Sequence, residues 1–449
     1  MSVFVAEELS EVLNTKVVIG RINMGLLNRI IIDDVLLDDQ SGQEMLKVTR
    51  LSAKFDIMPF FKGKISISSV QLFGFNINLR KETPDSPPNF KFVLDAFASK
   101  DTVKKENSLD LRINSILIRR GRMSYHVLSE EETPGKFNAK HIQLQNIIAN
   151  ISLKALSKDS LNLGIKRLSL DEKASGFSLK KMSLKLVANN KQTNIDNFTI
   201  ELPETSLKLD TIHLEYDSLK AFDRFTEQVH FSFRTLPSQV TLKDISPFVP
   251  TLSHFKEPVT LDMEVKGTVD QLTCSHLEIT ADDRQFRLRG DVSLQDLSRP
   301  QDAYVYGTLS ELSANTRGVG FLVRNLSPNY NGVPPLLERL GNVSFQGEIS
   351  GYFTDLVTYG QLQTSLGNVK TDLKLSSDKT KGLFAYSGAV KTEDFQLGKL
   401  LDNEELGEIT FNLDVHGRHI ADHLPAVELK GLIASIDYSR YRYENITLD

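Results

Sequence analysis

Residues 207–216 read LKLDTIHLEY, with Leu207, Leu209, Ile212, Leu214 and Tyr216 apolar and every spacer polar. Side chains on a strand alternate faces with a period of two, so this stretch predicts a strand with one greasy and one wet face. The alternation breaks once, where Asp210 and Thr211 make a doubled spacer between Leu209 and Ile212. The same spacing, apolar-x-apolar-x-x-apolar-x-apolar, begins at Leu46, Ile65, Leu163 and Phe177, and looser copies begin at Ile30, Leu111 and Ile142. At 40% apolar residues, random placement would give roughly 0.6 strict copies over that stretch, so the pattern is a weak internal repeat. A doubled spacer turns the second half of a strand to the wrong face. A one-residue bulge, or a short corner between two strands, restores the face and bends the chain. Repeated in neighbouring strands, either device curls a sheet into a trough.

Outward from this stretch the whole chain after residue 16 reads as strand after strand, divided by Asn, Asp, Gly and Ser. The expected fold is mainly β: an elongated, curled antiparallel sheet forming an apolar groove. A short amphipathic helix precedes it over residues 1–15, with Val5, Leu9, Val12 and Leu13 on one face. Residues 247–258, PFVPTLSHFKEP, hold three prolines and set the expected boundary between two groove segments, 16–246 and 247–449, with 327–335 as a second candidate. The second segment places glycine at inward parity, as in Phe345-x-Gly347-x-Ile349 and Leu288-x-Gly290-x-Val292, which marks a tight bend or a close backbone approach. Short connections predict antiparallel pairing of sequence neighbours. Helices are expected only at the N-terminus, at 90–97 and at 334–340, too few to cover so much apolar sheet, which leaves two architectures: a sheet folded on itself as sandwiches, or a long open groove. The expected groove lining in the first segment is Leu46, Val48, Ile65, Ile67, Val70, Leu72, Leu111, Ile113, Ile116, Ile118, Leu163, Ile165, Leu168, Leu207, Leu209, Ile212 and Leu214.

Composition narrows the function. The 449 residues carry 53 Lys+Arg against 58 Asp+Glu, a net charge of −5 that excludes a strongly basic nucleic-acid binder. The single cysteine, Cys274, excludes internal disulfides and cysteine-based zinc sites. No apolar run approaches the length of a membrane-spanning helix. His416, His419 and His423 cluster in sequence, but they follow a strand-like stretch and lack a placed carboxylate, so no metal is assigned. Asp38-Asp39-Gln40-Ser41-Gly42 reads as turn chemistry rather than a calcium loop. No nucleotide-binding loop, nucleophile elbow or zinc-protease helix occurs. The expectation is therefore a non-enzyme without a cofactor.

Residues 9–80 carry a family resemblance. LSEVLNTKV is followed by VVIGRIN, then IIIDDVLLDDQSGQEMLKV, then LSAKFDIMPFFKGKISISSVQLFGFNINL. This order resembles the start of TamB and AsmA-like proteins, the translocation-and-assembly family, and at the level of fold it resembles chorein-type bridge-like lipid-transfer proteins. Residues 242–269, 407–417 (GEITFNLDVHG) and 433–447 (IASIDYSRYRYENIT) are similar to the middle repeats of the long TamB relatives of Bacteroidetes-type bacteria. The resemblance implies a periplasmic β-groove (a β-taco) that carries phospholipids between inner and outer membranes in support of outer-membrane biogenesis. The alternative it leaves open is a scaffold for assembling outer-membrane β-barrel proteins, with a barrel partner. It also implies an inner-membrane anchor before residue 1 and a further domain after residue 449.

Overall fold

The computed structural model describes residues 2–26, 28–55, 67–97, 114–156, 160–281, 285–299, 302–326, 332–378, 383–420 and 426–449. Among the described residues strands make up 63% and helices 14%, so the protein is mainly β. It divides into two compact units: residues 1–189, 193–208 and 242–253, and residues 190–192, 209–241 and 254–449.

In the first unit the helix α1 (Ser2–Leu13) precedes β1 (Val17–Gly25), β2 (Arg29–Asp38), β3 (Glu44–Phe55) and β4 (Ile67–Lys81). After the helix α2 (Lys91–Phe97) come β5 (Ser115–Val127), β6 (His141–Leu156), β7 (Ser160–Glu172), β8 (Ser178–Asn189), β9 (Gln192–Glu201) and β10 (Ser206–Leu209). Each strand pairs with its sequence neighbours, antiparallel with one exception. β4 and β5 run parallel, Leu72 opposite Ile118, which corrects the expectation of antiparallel pairing throughout. The reason is the connection: residues 82–114 are long enough to carry the chain back to the starting edge, whereas a hairpin turn is not.

The second unit holds β11 (Thr211–Glu215), the short α3 (Phe225–Gln228), β12 (His230–Val240), β13 (Val259–Gly267), β14 (Gln271–Ala281), β15 (Phe286–Gln295) and β16 (Tyr304–Ala314). The helices α4 (Thr316–Leu326) and α5 (Pro335–Arg339) then lead into β17 (Val343–Tyr352), β18 (Asp355–Thr364), β19 (Gly367–Asp378) and β20 (Leu383–Gln396). After α6 (Leu397–Leu401) the chain finishes with β21 (Leu406–Ile420), β22 (Ala426–Tyr438) and β23 (Tyr441–Leu448). From β11 to β23 every recorded neighbour pair is antiparallel.

The helices sit at strand ends and plug them. In α1, Val5, Ala6, Leu9 and Leu13 pack on Val17, Ile19, Leu37 and Met45, together with Phe92 and Val93 of α2. Val12, expected on that face, is instead 58% exposed. α4 was not expected, because its sequence TRGVGFLVRNL holds two poor helix formers. Tertiary packing overrides propensity here: Val319 and Phe321 pack on Phe286, Ala281 and Ala314. Asn315 caps the helix by accepting from the Gly318 amide at 2.9 Å. A Cβ at Gly318 would lie 1.8 Å from the Gln285 carbonyl oxygen, so only glycine lets the helix dock this closely.

Two buried carboxylates tie turns at this same strand-end edge of the first unit. Asp39 accepts from the Ser41 amide (3.0 Å), the Ser41 hydroxyl (2.6 Å) and the Gln43 amide (3.1 Å), and also from Arg80 (2.7 Å) and Asn89 (3.2 Å). The turn reading of 38–42 holds, and the Asp39 donors are all protein groups. Glu172 accepts from the amides of Gln143 (2.9 Å) and Ser175 (2.7 Å) and from the Ser175 hydroxyl (2.5 Å). Burial pushes both carboxyls up, but the donors outweigh it and both titrate below the ordinary carboxylate range.

Glycine at inward parity does what the sequence suggested. A Cβ at Gly347 would lie 2.2 Å from the Tyr359 carbonyl oxygen, and one at Gly290 would lie 2.3 Å from that of Thr308. The neighbouring backbone occupies the place of the missing side chain.

Two predictions follow from these contacts. Gly347→Ala should lower the urea midpoint of the second unit by an amount equivalent to roughly 1–3 kcal/mol, from overpacking against backbone; an unchanged midpoint would refute the close approach. For Asp39 and Glu172, the folded values lie below the reference values of 3.8 and 4.5. Their contribution is therefore complete above those reference values and is lost as pH falls through the depressed folded values. Chemical denaturation of wild type and Asp39→Asn should converge as pH drops below about 4 and diverge above it.

Candidate functional site

Direct register partners build the candidate site row by row. Across the first unit one row reads Ile22, Ile32, Leu51, Leu72, Ile118, Ala149, Leu168, Met182, Ile200 and Leu207, one residue from each of β1–β10. Every position is apolar. Beside it runs Met24, Ile30, Ala53, Val70, Ile116, Ile151, Ile165 and Leu184 on β1–β8. On these rows only Ala149 is fully buried; the others are half-buried, apart from the exposed Met24.

The doubled spacers Asp33-Asp34, Thr49-Arg50, Gln145-Asn146 and Lys166-Arg167 meet in a transverse crease. Those of the copies at Ile65 and Leu111 fall instead at the starts of β4 and β5, and that of the copy at Leu207 falls at the junction of β10 and β11. On β2 and β3 the pairing steps from Asp33 opposite Arg50 to Val35 opposite Val48, and on β4 from Phe73 to Phe75. Asp34 (φ 56°) and Gly74 (φ 64°) lie in that gap in left-handed backbone. The crease continues as register shifts between Ile118 and Gly121, Gln145 and Ile148, Ile165 and Leu168, and Ser183 and Lys185. Arg120, Asn146 and Asn197 adopt positive φ along it. Because β2, β3 and β4 flip parity at the same place, Val35, Val48 and Phe75 stay on the face of Ile32, Leu51 and Leu72.

Beyond the crease, toward the helices, the floor is sealed: Val48, Phe75 and Ile147 are buried against Leu46, Leu72, Ile118, Met123 and Leu144. On the other side the described floor residues are half-buried apart from the buried Ala149 and the exposed Met24. The opposite face of the crease is wet. There Asp33 accepts from Arg50 Nε at 2.7 Å, and the Arg120 guanidinium lies over the Phe73 ring, 5.3 Å from its centroid. The Arg50 hydrogen bond and charge hold the Asp33 carboxyl below its ordinary value, although burial opposes them.

The second unit repeats the scheme. Leu261, Ile279, Leu288, Leu312, Phe345, Leu362, Val369, Thr392, Phe411, Ile433 and Ile446 form one row over β13–β23, broken only by Thr392. Near α6 the floor is sealed by Leu366, Phe395 and Ile409.

Of the residues expected to line a groove, Leu72, Ile118, Leu168 and Leu207 share the first row, and Val70, Ile116 and Ile165 the second. Leu163 faces Leu153 and Leu186 on a third. Leu46 and Val48 lie on the sealed side. Ile67 opens β4 opposite Phe55. Leu209 is buried and Ile212 half-buried, while Leu214 packs near Tyr216, Ala221 and Val229. Ile65, Leu111 and Ile113 lie outside the described residues. The sequence reading missed Phe75, Met123, Leu144 and Ile147, whose signal was the same alternation carried past the crease. His416 and His419 lie on strand β21, and His423 is outside the described residues.

A separate cleft of about 740 Å3 opens at the helix edge, lined by Leu13, Asp39, Arg80, Asn89, Lys91 and Phe92 among others. Its central carboxylate is already bound by protein donors. Comparison with family models, with curated proteins and with solved structures finds no match.

Ile116 and Ile118 are half-buried between Val70 and Leu72 on one side and Ile151 and Ala149 on the other, with Ile118 at the border where it packs against the sealed cluster. Changing both to Asp should leave the protein folded, because the half-exposed carboxylates keep contact with water. Circular dichroism and a cooperative melt check this; global unfolding would mean that a closed core surrounds them.

Proposed function

We propose that the chain is a non-enzymatic carrier of lipid acyl chains, which lie on the open apolar half of the sheet while head groups stay at the wet rim. The observation that carries this reading is the row from Ile22 to Leu207, apolar at all positions yet half-buried at all but one. Ten strands at about 4.8 Å make that row roughly 43 Å long, more than the ~30 Å hydrocarbon core of a bilayer. Each methylene exposed to water costs about 0.8 kcal/mol, so a continuous apolar floor lowers the cost of a tail leaving a membrane. Such transfer needs no reacting group.

The resemblance to TamB and AsmA-like proteins supports phospholipid as the cargo and the periplasm as the place. It likewise supports the inner membrane and an outer-membrane barrel protein as neighbours. Among the described residues no helix is long and apolar enough to cross a membrane.

The test is extraction and mass spectrometry of lipid from protein purified without detergent. Phospholipid should co-purify in stoichiometric amount and fall several-fold in the Ile116→Asp/Ile118→Asp protein. A folded wild-type chain that stays lipid-free, even after incubation with phospholipid vesicles, would overturn the reading.

A further inference from the structure

We propose that His126, Glu132 and His141 form a binding site for one divalent transition-metal ion of the zinc type. The site lies at the helix edge of the first unit, away from the open apolar rows. His126 on β5 and His141 on β6 are direct register partners. Their Nδ1 atoms face each other at 3.1 Å, with ring centroids 5.3 Å apart. Glu132, in the loop joining the two strands, brings Oε1 to 3.9 Å from His126 Nδ1. All three ligand atoms lie within 4.8 Å of one another.

The tautomer is set by a neighbour. His141 Nε2 is 2.9 Å from the Glu130 carbonyl oxygen, which only accepts, so Nε2 carries the hydrogen and the neutral ring keeps its Nδ1 lone pair free. Donation of the second ring N–H to a backbone carbonyl is how metal-binding histidines are commonly oriented. Two nitrogens bound at 2.0–2.1 Å around a tetrahedral ion lie about 3.3 Å apart, within a few tenths of the separation found here. His141 is buried, with 7% of its surface accessible, so its ring is held in place. The Glu132 side chain is 63% exposed and free to close the remaining distance. Paired imidazoles with one carboxylate favour zinc, nickel or copper over magnesium or calcium.

The competing arrangement is a hydrogen bond between two neutral imidazoles. It accounts for the two rings and leaves the Glu132 carboxylate as a long, exposed partner 3.9 Å from His126 Nδ1. An ion would close the loop from 128 to 140, the same loop that sets the Phe137 ring 4.9 Å from that of Phe248 and donates the Gly135 amide to the Ala174 carbonyl at 2.9 Å.

The experiment titrates the full-length, tag-free, metal-stripped chain with Co2+ and then with Zn2+. One equivalent of Co2+ should bind with the visible absorption of a low-symmetry site, and Zn2+ should displace it. His126→Ala and Glu132→Gln, both at partly or well exposed side chains, should fold normally and bind at least roughly tenfold more weakly. Wild type binding no more tightly than His126→Ala overturns the site. Loss in His126→Ala with unchanged affinity in Glu132→Gln overturns the three-ligand assignment.

Discussion

The structure depends on one constraint: a strand turns successive side chains to opposite faces, so an irregularity in one strand must be matched in its neighbours. Asp34, Thr49 and Gly74 stand side by side on β2, β3 and β4, where the ladder between Asp33–Arg50 and Val35–Val48 skips a step. Were the irregularity confined to one strand, half of its apolar side chains would face water. Shared across the unit, it becomes a fold line, and both halves of each strand keep one apolar face.

Burial then differs on the two sides of that line for a simple reason. The helices α1 and α2 supply apolar cover only at one edge, where Leu13, Val17, Ile19, Leu37 and Met45 form a sealed cluster. Among the described residues, no helix packs on Ile116, Ile118 or Ile165, and they are half-buried. The second unit uses the same register shifts, as between Cys274 and Leu277 and between Thr392 and Phe395, and adds a further device. There glycine lets backbones approach, as where a Cβ at Gly347 would strike Tyr359 and one at Gly388 would lie 2.1 Å from the Asp372 carbonyl oxygen. The polar groups that hold the edge are buried carboxylates rather than surface ion pairs. Asp39 and Glu172 each gather several donors, which is worth far more than an exposed pair.

The alternation, the doubled spacers and the inward glycines were legible in the sequence because each is a property of a few consecutive residues. They fixed the β class, the faces of most strands and the crease on β2, β3, β6 and β7, but not on β4 and β5, where it lies at Gly74 and Arg120 rather than at the doubled spacers Ser68-Ser69 and Asn114-Ser115. Likewise the short helices at 91–97 and 335–339 stand where local signals placed them. What the sequence could not reveal is pairing at a distance. The parallel match of β4 with β5 depends on where a long connection returns. The helical state of Thr316–Leu326 depends on the apolar surface of Phe286 and Ala314 beneath it, against its own propensity. Likewise His126 and His141 are fifteen residues apart, and only the register of β5 with β6 sets their Nδ1 atoms face to face. The sequence by itself thus determined which side of each strand is apolar, because that follows from a local period of two. Tertiary structure alone decided which of those apolar side chains are sealed and which lie open, because burial is set by what other parts of the chain place on top of them.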